Sequence, residues 1–192
     1  MLDFSQLDKY KENNRIEAKK AQGGLPRSIW ETYSAFANTF GGYILLGVVE
    51  NADKSFSSVP LPSPETLVAD FWNSVNNTAN VSVNILSERN VQIVESGGNR
   101  IVVVEVPRAD RHDKPVYIGT NPFAGSYRRN GEGDYRCTKD EVRAMMRDQA
   151  DISQDARVMD TMTTDVFDMD TIRRYRQRMD NLRPGHVWSE LA

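Results

Sequence analysis

The stretch Ser34-Ala-Phe-Ala-Asn-Thr-Phe-Gly-Gly-Tyr-Ile-Leu-Leu-Gly-Val-Val-Glu50 decides the fold. Its first half completes a helical pattern, in which Ile29, Tyr33, Phe36 and Phe40 recur at four-three-four spacing and line up one apolar face. Pro26 suits a first helical turn, and Gly41-Gly42 stops the helix. Tyr43 to Val49 is then a short continuous apolar run, the pattern of a strand covered on both faces.

Upstream, Asn13-Asn14 can turn the chain, and Arg15 to Ala21 alternates as a short strand with Ile16 and Ala18 inward. Downstream, Pro60, Pro62 and Pro64 mark a loop, and Leu67, Val68, Phe71, Trp72 and Val75 predict a helix over 65–76. Val81 to Leu86, Val91 to Val94 and Ile101 to Val106 read as strands, the last two joined by a hairpin at 96–99. Lys114 to Ile118 and Gly125 to Arg129 suggest two more. Thr138 with Glu141 forms a capping box for a helix through Met146. Residues 1–150 are therefore expected to form one domain. An Asp-rich linker over 151–168 should lead to an Arg-rich helix at 171–182, capped by Asp170.

The 192 residues carry 24 Lys and Arg against 27 Asp and Glu, a net charge of -3. Coating of nucleic acid by bulk positive charge is thereby excluded, and such binding needs a local patch. The single Cys137 rules out an internal disulfide, and the first residues lack the layout of a signal peptide, so a cytoplasmic setting is expected. No apolar run approaches the roughly 20 residues that span a bilayer.

Taken together, Glu17-Ala-Lys19, Leu25-Pro26, Trp30-Glu31-Thr32, Ser34 to Thr39 and Gly41 to Val48 resemble the Schlafen-type AlbA-like (AlbA_2) domain. That domain occurs in Schlafen proteins and in bacterial transcriptional regulators and ATP-binding proteins. Val106-Pro-Arg108, Lys114-Pro-Val-Tyr117 and Tyr127-Arg-Arg129 extend the likeness, which spans most of residues 12–147. The resemblance implies an α+β fold with a mixed, largely antiparallel sheet and flanking helices. It also implies a module that binds DNA or RNA, works as a homo-oligomer and precedes a further domain. No G-x-x-x-x-G-K-[ST] loop is present, so an ATP site is not expected within the chain.

Some Schlafen members cleave RNA with an acidic cluster, and the resemblance places such a cluster at Glu12, Glu17 and Lys19 with Glu50 or Asp53 as the third acid. Mg²⁺ or Mn²⁺ would be the cofactor of that metal-dependent endoribonuclease. A five-residue spacing puts Glu12 and Glu17 on different faces of any regular element, so a bend at Asn13-Asn14 is required. Ordinary ion pairs on a solvated sheet face are the competing account of Arg15, Glu17 and Lys19.

For binding, Arg108, Arg111, His112, Lys114, Arg128, Arg129, Arg136, Lys139 and Arg143 concentrate positive charge, with Tyr117, Tyr127 and Tyr135 interleaved. Phosphate contacts and base stacking use that mixture. Asp110, Asp113, Glu132, Asp134, Asp140 and Glu141 are positioned along the chain to neutralise much of it. A third possibility is a protein-interaction or oligomerisation module, with the acidic arm docked on a second copy. His112 and His186 lack a second ligand at metal spacing, and Cys137 reads as a small buried residue.

Overall fold

The computed structural model describes residue 4, residues 6–149 and residues 167–185. The chain divides into two compact units, Met1–Asp151 and Ile152–Ala192. Most of the Asp-rich arm, together with His186 and the last residues, lies outside the described residues.

The first unit is built on β1 (Ile16–Lys19), α1 (Ile29–Asn38) and β2 (Gly42–Leu46), with β1 and β2 parallel. A parallel pair needs a crossover, and α1 supplies it. The sheet continues with β6 (Asn99–Val106) and β5 (Val91–Ser96), both antiparallel, in the order β1-β2-β6-β5. Ile44, Leu46, Val102 and Val104 pack under α1 and α2 (Pro64–Val75), around Tyr33, Phe36 and Phe71. The opposite face carries Ile16, Leu45, Ile101 and Val103, covered by Phe4, Leu7 and Phe56. Period-two alternation with both faces buried is why β2 and β6 read as unbroken apolar runs.

The apolar run after Gly41-Gly42 is two strands, because Gly47 sits at φ +85° and redirects the chain. β3 (Val48–Glu50) pairs instead with β4 (Phe56–Ser58) as a separate ribbon. Phe40 is 55% exposed, a correction to its place on the apolar face. The helix ends at Asn38, and Gly41 at φ +72° returns its N–H to the Phe36 carbonyl at 2.8 Å, turning Phe40 outward.

Two expected strands are absent from the ladders. Val81 keeps only an isolated bridge to Ile118, and Val83 and Ile85 bond through the Tyr33 hydroxyl, which donates to Val83 O and accepts from Ile85 N. Residues 114–118 are held by α1 side chains: Ser34 Oγ and Asn38 Nδ2 donate to Val116 O, and Val116 N donates to Asn38 Oδ1.

A four-residue α3 (Pro122–Gly125) leads to the hairpin of β7 (Tyr127–Asn130) and β8 (Gly133–Arg136), followed by α4 (Lys139–Asp148). The Thr138 and Glu141 capping box is formed in both directions. In the second unit α5 (Met169–Leu182) is capped by Asp168, which accepts from Asp170 N and Thr171 N. The cap therefore lies two residues before the expected Asp170. Among the described residues no helix is long and apolar enough to cross a membrane.

Candidate functional site

On edge strand β1, alternation sends Ile16 and Ala18 to the face covered by Phe4 and Leu7, and Glu17 and Lys19 to the other. Lys19 Nζ stands 2.9 Å from Glu17 Oε1. Glu17 Oε2 takes Arg129 Nη2 at 2.9 Å, and Arg129 Nη1 holds Asp134 Oδ1 at 2.9 Å. Arg129 also donates to Asn13 O and lies over the Phe36 ring, 5.1 Å from its centroid. Thr32 Oγ1 donates to the second Asp134 oxygen at 2.7 Å. The guanidinium fork thus ties hairpin, edge strand and helix together, a geometry an ammonium does not offer.

The bend at Asn13-Asn14 exists. Arg15 N donates to Asn13 Oδ1, and the chain doubles back so that Glu12 Oε1 accepts from Ala18 N at 3.1 Å. Burial first, then the nearby charges of Glu17 and Glu50, push the Glu12 carboxyl above the ordinary glutamate range. Glu50 at the end of β3 pairs through Oε2 with Lys54 Nζ at 3.1 Å, while its Oε1 is buried without a hydrogen-bond partner. Asp53 is turned into its own loop, accepting from Ser55 N and Ser55 Oγ, which holds its carboxyl low. Glu50 rather than Asp53 therefore shares the neighbourhood of Glu12 and Glu17.

The donor chemistry does not match a metal-ion cage. Both Glu17 oxygens face cations, and Glu12 and Glu50 each commit one oxygen. Among the described residues no three His, Cys, Asp or Glu side chains are arranged to hold a metal ion. Cys137 is buried, and burial pushes its thiol up to about 11, so it stays protonated rather than acting as a nucleophile.

The basic residues divide by facing. Arg129 is 1% exposed in its side chain and Lys114 8% exposed, so neither lies on the open surface; Tyr127 is buried as well. Their alternates face outward: Arg128 stands directly opposite Tyr135 across the hairpin, and the Tyr135 ring is 54% exposed. Arg128 pairs with Glu141 at 3.1 Å. Arg136 is exposed and donates through Nε to the Tyr127 hydroxyl. Arg108, Arg111 and Lys114 converge on a separate cleft of about 470 Å³, where Asn38, Met145 and Asp148 also line the wall. Arg111 Nη1 donates to Asp148 O, and Lys114 Nζ donates to Asn38 O at 2.8 Å. Asn38 and α4 were not foreseen as part of this wall, because no local pattern links residues 38, 114 and 148.

A mixed four-stranded sheet, helices on one face and an acid-and-arginine knot at its parallel edge define an α+β module of the AlbA-like class. The family model described as Schlafen, AlbA_2 matches residues 10–138, and the chain belongs to that family. A second model, a domain of unknown function (DUF8451), matches residues 143–192. Among solved structures, the N-terminal domain of a RecG-related protein from Nitrosomonas europaea is 37% identical. That match covers 65% of this chain and 84% of the other, with a TM-score of 0.48. The DIP2311 protein from Corynebacterium diphtheriae is 15% identical over 93% of this chain and 31% of its own, with a TM-score of 0.46. No curated protein matches the chain.

Proposed function

We propose that this chain is a nucleic-acid-binding module, the DNA- or RNA-contacting part of a regulator-like protein. The observation that carries this reading is the cross-strand pair Arg128 and Tyr135, a half-exposed cation whose edge pairs with Glu141, opposite an exposed aromatic residue on the outer face of the β7–β8 hairpin. Stacking on an exposed ring contributes about 1–3 kcal/mol per base, and the neighbouring cation meets the phosphate. Family membership supports the same reading, since the AlbA-like resemblance implies DNA or RNA as ligand. Exposed Arg136 and Arg108 add charge for backbone contacts.

The test is titration of labelled single- and double-stranded DNA and RNA at two salt concentrations, with wild type, Tyr135→Ala and Arg128→Ala. Binding should weaken as salt rises, and Tyr135→Ala should lower affinity roughly tenfold on single strands. No binding to any of the four at low salt sinks the proposal.

Phosphodiester cleavage is a second reading, favoured by the convergence of Glu12, Glu17 and Glu50 and by the unpartnered Glu50 Oε1. Because the cluster does not match a metal cage, no catalytic step is assigned to it. Incubation of structured RNA with Mn²⁺ or EDTA, comparing wild type with Glu50→Gln, decides the matter. Manganese-dependent cleavage lost in the variant supports the second reading, and intact RNA in every lane removes it.

A further inference from the structure

We infer that the cleft beside the C-terminal end of α1 is a binding site for a phosphate monoester, of the kind carried by a strand end or a free nucleotide. The inference deepens the nucleic-acid reading and rests on it for the strand-end source. Three cationic residues, Arg108, Arg111 and Lys114, line a recess of about 470 Å³. Lys114 is more than nine-tenths buried, yet among the described residues no carboxylate pairs with its ammonium. One of its three donors goes to Asn38 O, where it caps the helix, and two remain. Arg108 is exposed and has no hydrogen-bond or ion-pair partner among the described residues.

Burial first, and then the Arg108 charge, hold the Lys114 ammonium below the usual lysine range. An unpaired buried cation beside a second cation is costly, and a dianion entering the cleft offsets both the burial and the repulsion. That difference distinguishes a recognition site from a set of internal ion pairs. The charge of Arg129, by contrast, is matched by two carboxylates, Glu17 on Nη2 and Asp134 on Nη1, even though its Nε is buried without a hydrogen-bond partner.

The size and rim of the recess select among phosphates. A pocket of this volume falls in the usual range for small ligands, roughly 300–1,000 Å³, and admits one nucleotide rather than a helix. Asp110 and Asp148 also line it, and their charges oppose the flanking phosphates of a strand running through. A terminal monoester presents two charges to the cations, and a free nucleotide or an RNA end also offers a sugar hydroxyl to the acids.

The test compares 3′-labelled oligonucleotides with and without a 5′ phosphate, and 5′-labelled ones with and without a 3′ phosphate. Nucleoside monophosphate and inorganic phosphate serve as separate probes of thermal stabilisation. Wild type, Lys114→Met and Arg108→Gln are compared, the exposed Arg108 variant guarding against a folding defect in the other. A phosphorylated end should bind about tenfold tighter than a hydroxyl end in wild type, and Arg108→Gln should erase the difference. Stabilisation by nucleoside monophosphate without an end effect assigns the free nucleotide as source and supports the site. Overturning requires that no phosphate probe separates wild type from Arg108→Gln. Hydroxyl-ended strands that still bind through Tyr135 would then leave the broader reading standing. Phosphate occupancy without any oligonucleotide binding reverses that result, keeping the cleft and ending the nucleic-acid reading.

Discussion

Arg129 Nη2 stands 2.9 Å from Glu17 Oε2 with the arginine side chain 1% exposed, so the hairpin is fastened to the edge strand by an ion pair withdrawn from water. Removing one partner of such a pair strands the other charge, at a cost of about 3–5 kcal/mol. Arg129→Met should therefore lower the melting temperature by roughly 10 °C, and Arg129→Lys should not rescue it, because a single ammonium does not reach Glu17, Asp134 and Asn13 O together. Thermal melts followed by circular dichroism check this, and an unshifted Arg129→Met midpoint refutes it. The same coupling means that Glu17→Ala is a poor probe of catalysis, since lost activity would report lost structure.

Glu12 provides a pH signature. Its carboxyl titrates higher in the fold than in the unfolded chain, so the native state holds that proton more tightly. The contribution of Glu12 to stability is then greatest below the ordinary value of 4.5 and declines as pH climbs through the raised folded value. Glu12→Gln keeps an oxygen for Ala18 N but removes the charge. Urea titrations should find the variant equal to wild type in acid and more stable at neutral pH. A variant less stable at neutral pH contradicts the assignment.

The parts of the fold that were legible in sequence are those whose cause is local. The four-three spacing of Ile29, Tyr33 and Phe36 marks α1, and the unbroken apolar runs of Tyr43 to Leu46 and Ile101 to Val104 mark the two central strands. The segments at 81–86 and 114–118 have strand-like composition, but they meet each other only through an isolated bridge and a few bonds near Ser82 and Tyr117. The rest of their bonding includes Tyr33, Ser34 and Asn38, dozens of residues away. No periodicity reports that. In the site, Asn13-Asn14 announced the bend that returns Glu12 toward Ala18. Adjacent Arg128 and Arg129 must point to opposite faces of a strand, yet only the packing against Phe36 decides which one is buried.

The glycine pair has a steric cause that alanine exposes. A Cβ on Gly42 would lie 2.7 Å from Arg15 O and 2.8 Å from Phe36 Cε2, with backbone on one side and a buried ring on the other. Overpacking of that kind costs about 1–3 kcal/mol, so Gly42→Ala should visibly destabilise the first unit. Gly23 has nothing within 4 Å and no positive φ, and Gly23→Ala is the control expected to melt with wild type. Equal midpoints for both variants would show that the close approach is relieved at no cost.

Asp168 caps α5. Its carboxylate accepts from Thr171 Oγ1 at 2.7 Å and from Asp170 N at 3.0 Å, which holds it below the usual range. Asp168→Ala should clearly lower the helicity of α5. Asp170→Ala forfeits only an exposed pair with Arg173 and the first-turn charge, so it should cost less. Helicity of a peptide covering 167–185 measures both, and a larger loss at Asp170 reverses the assignment.

Asn38 joins the fold to the cleft. Its Nδ2 donates to Val116 O at 2.8 Å and Tyr127 O at 3.0 Å, its Oδ1 accepts from Val116 N at 2.9 Å, and its own carbonyl receives Lys114. One side chain thereby satisfies backbone groups of the 114–118 segment and of β7. Asn38→Ala leaves the buried Val116 N–H without a partner, though Ser34 Oγ still reaches Val116 O, so the loss should be about 2–3 kcal/mol. Asn38→Asp keeps the acceptor for Val116 N but turns a carboxylate oxygen toward Val116 O and Tyr127 O, where the amide donated. Repulsion between those oxygens should make Asn38→Asp at least as damaging as Asn38→Ala at neutral pH, with partial recovery in acid as the carboxyl regains a proton to donate. Chemical denaturation of both variants across that range is the measurement, and an Asn38→Asp protein as stable as wild type at neutral pH would disprove the hydrogen-bond pattern.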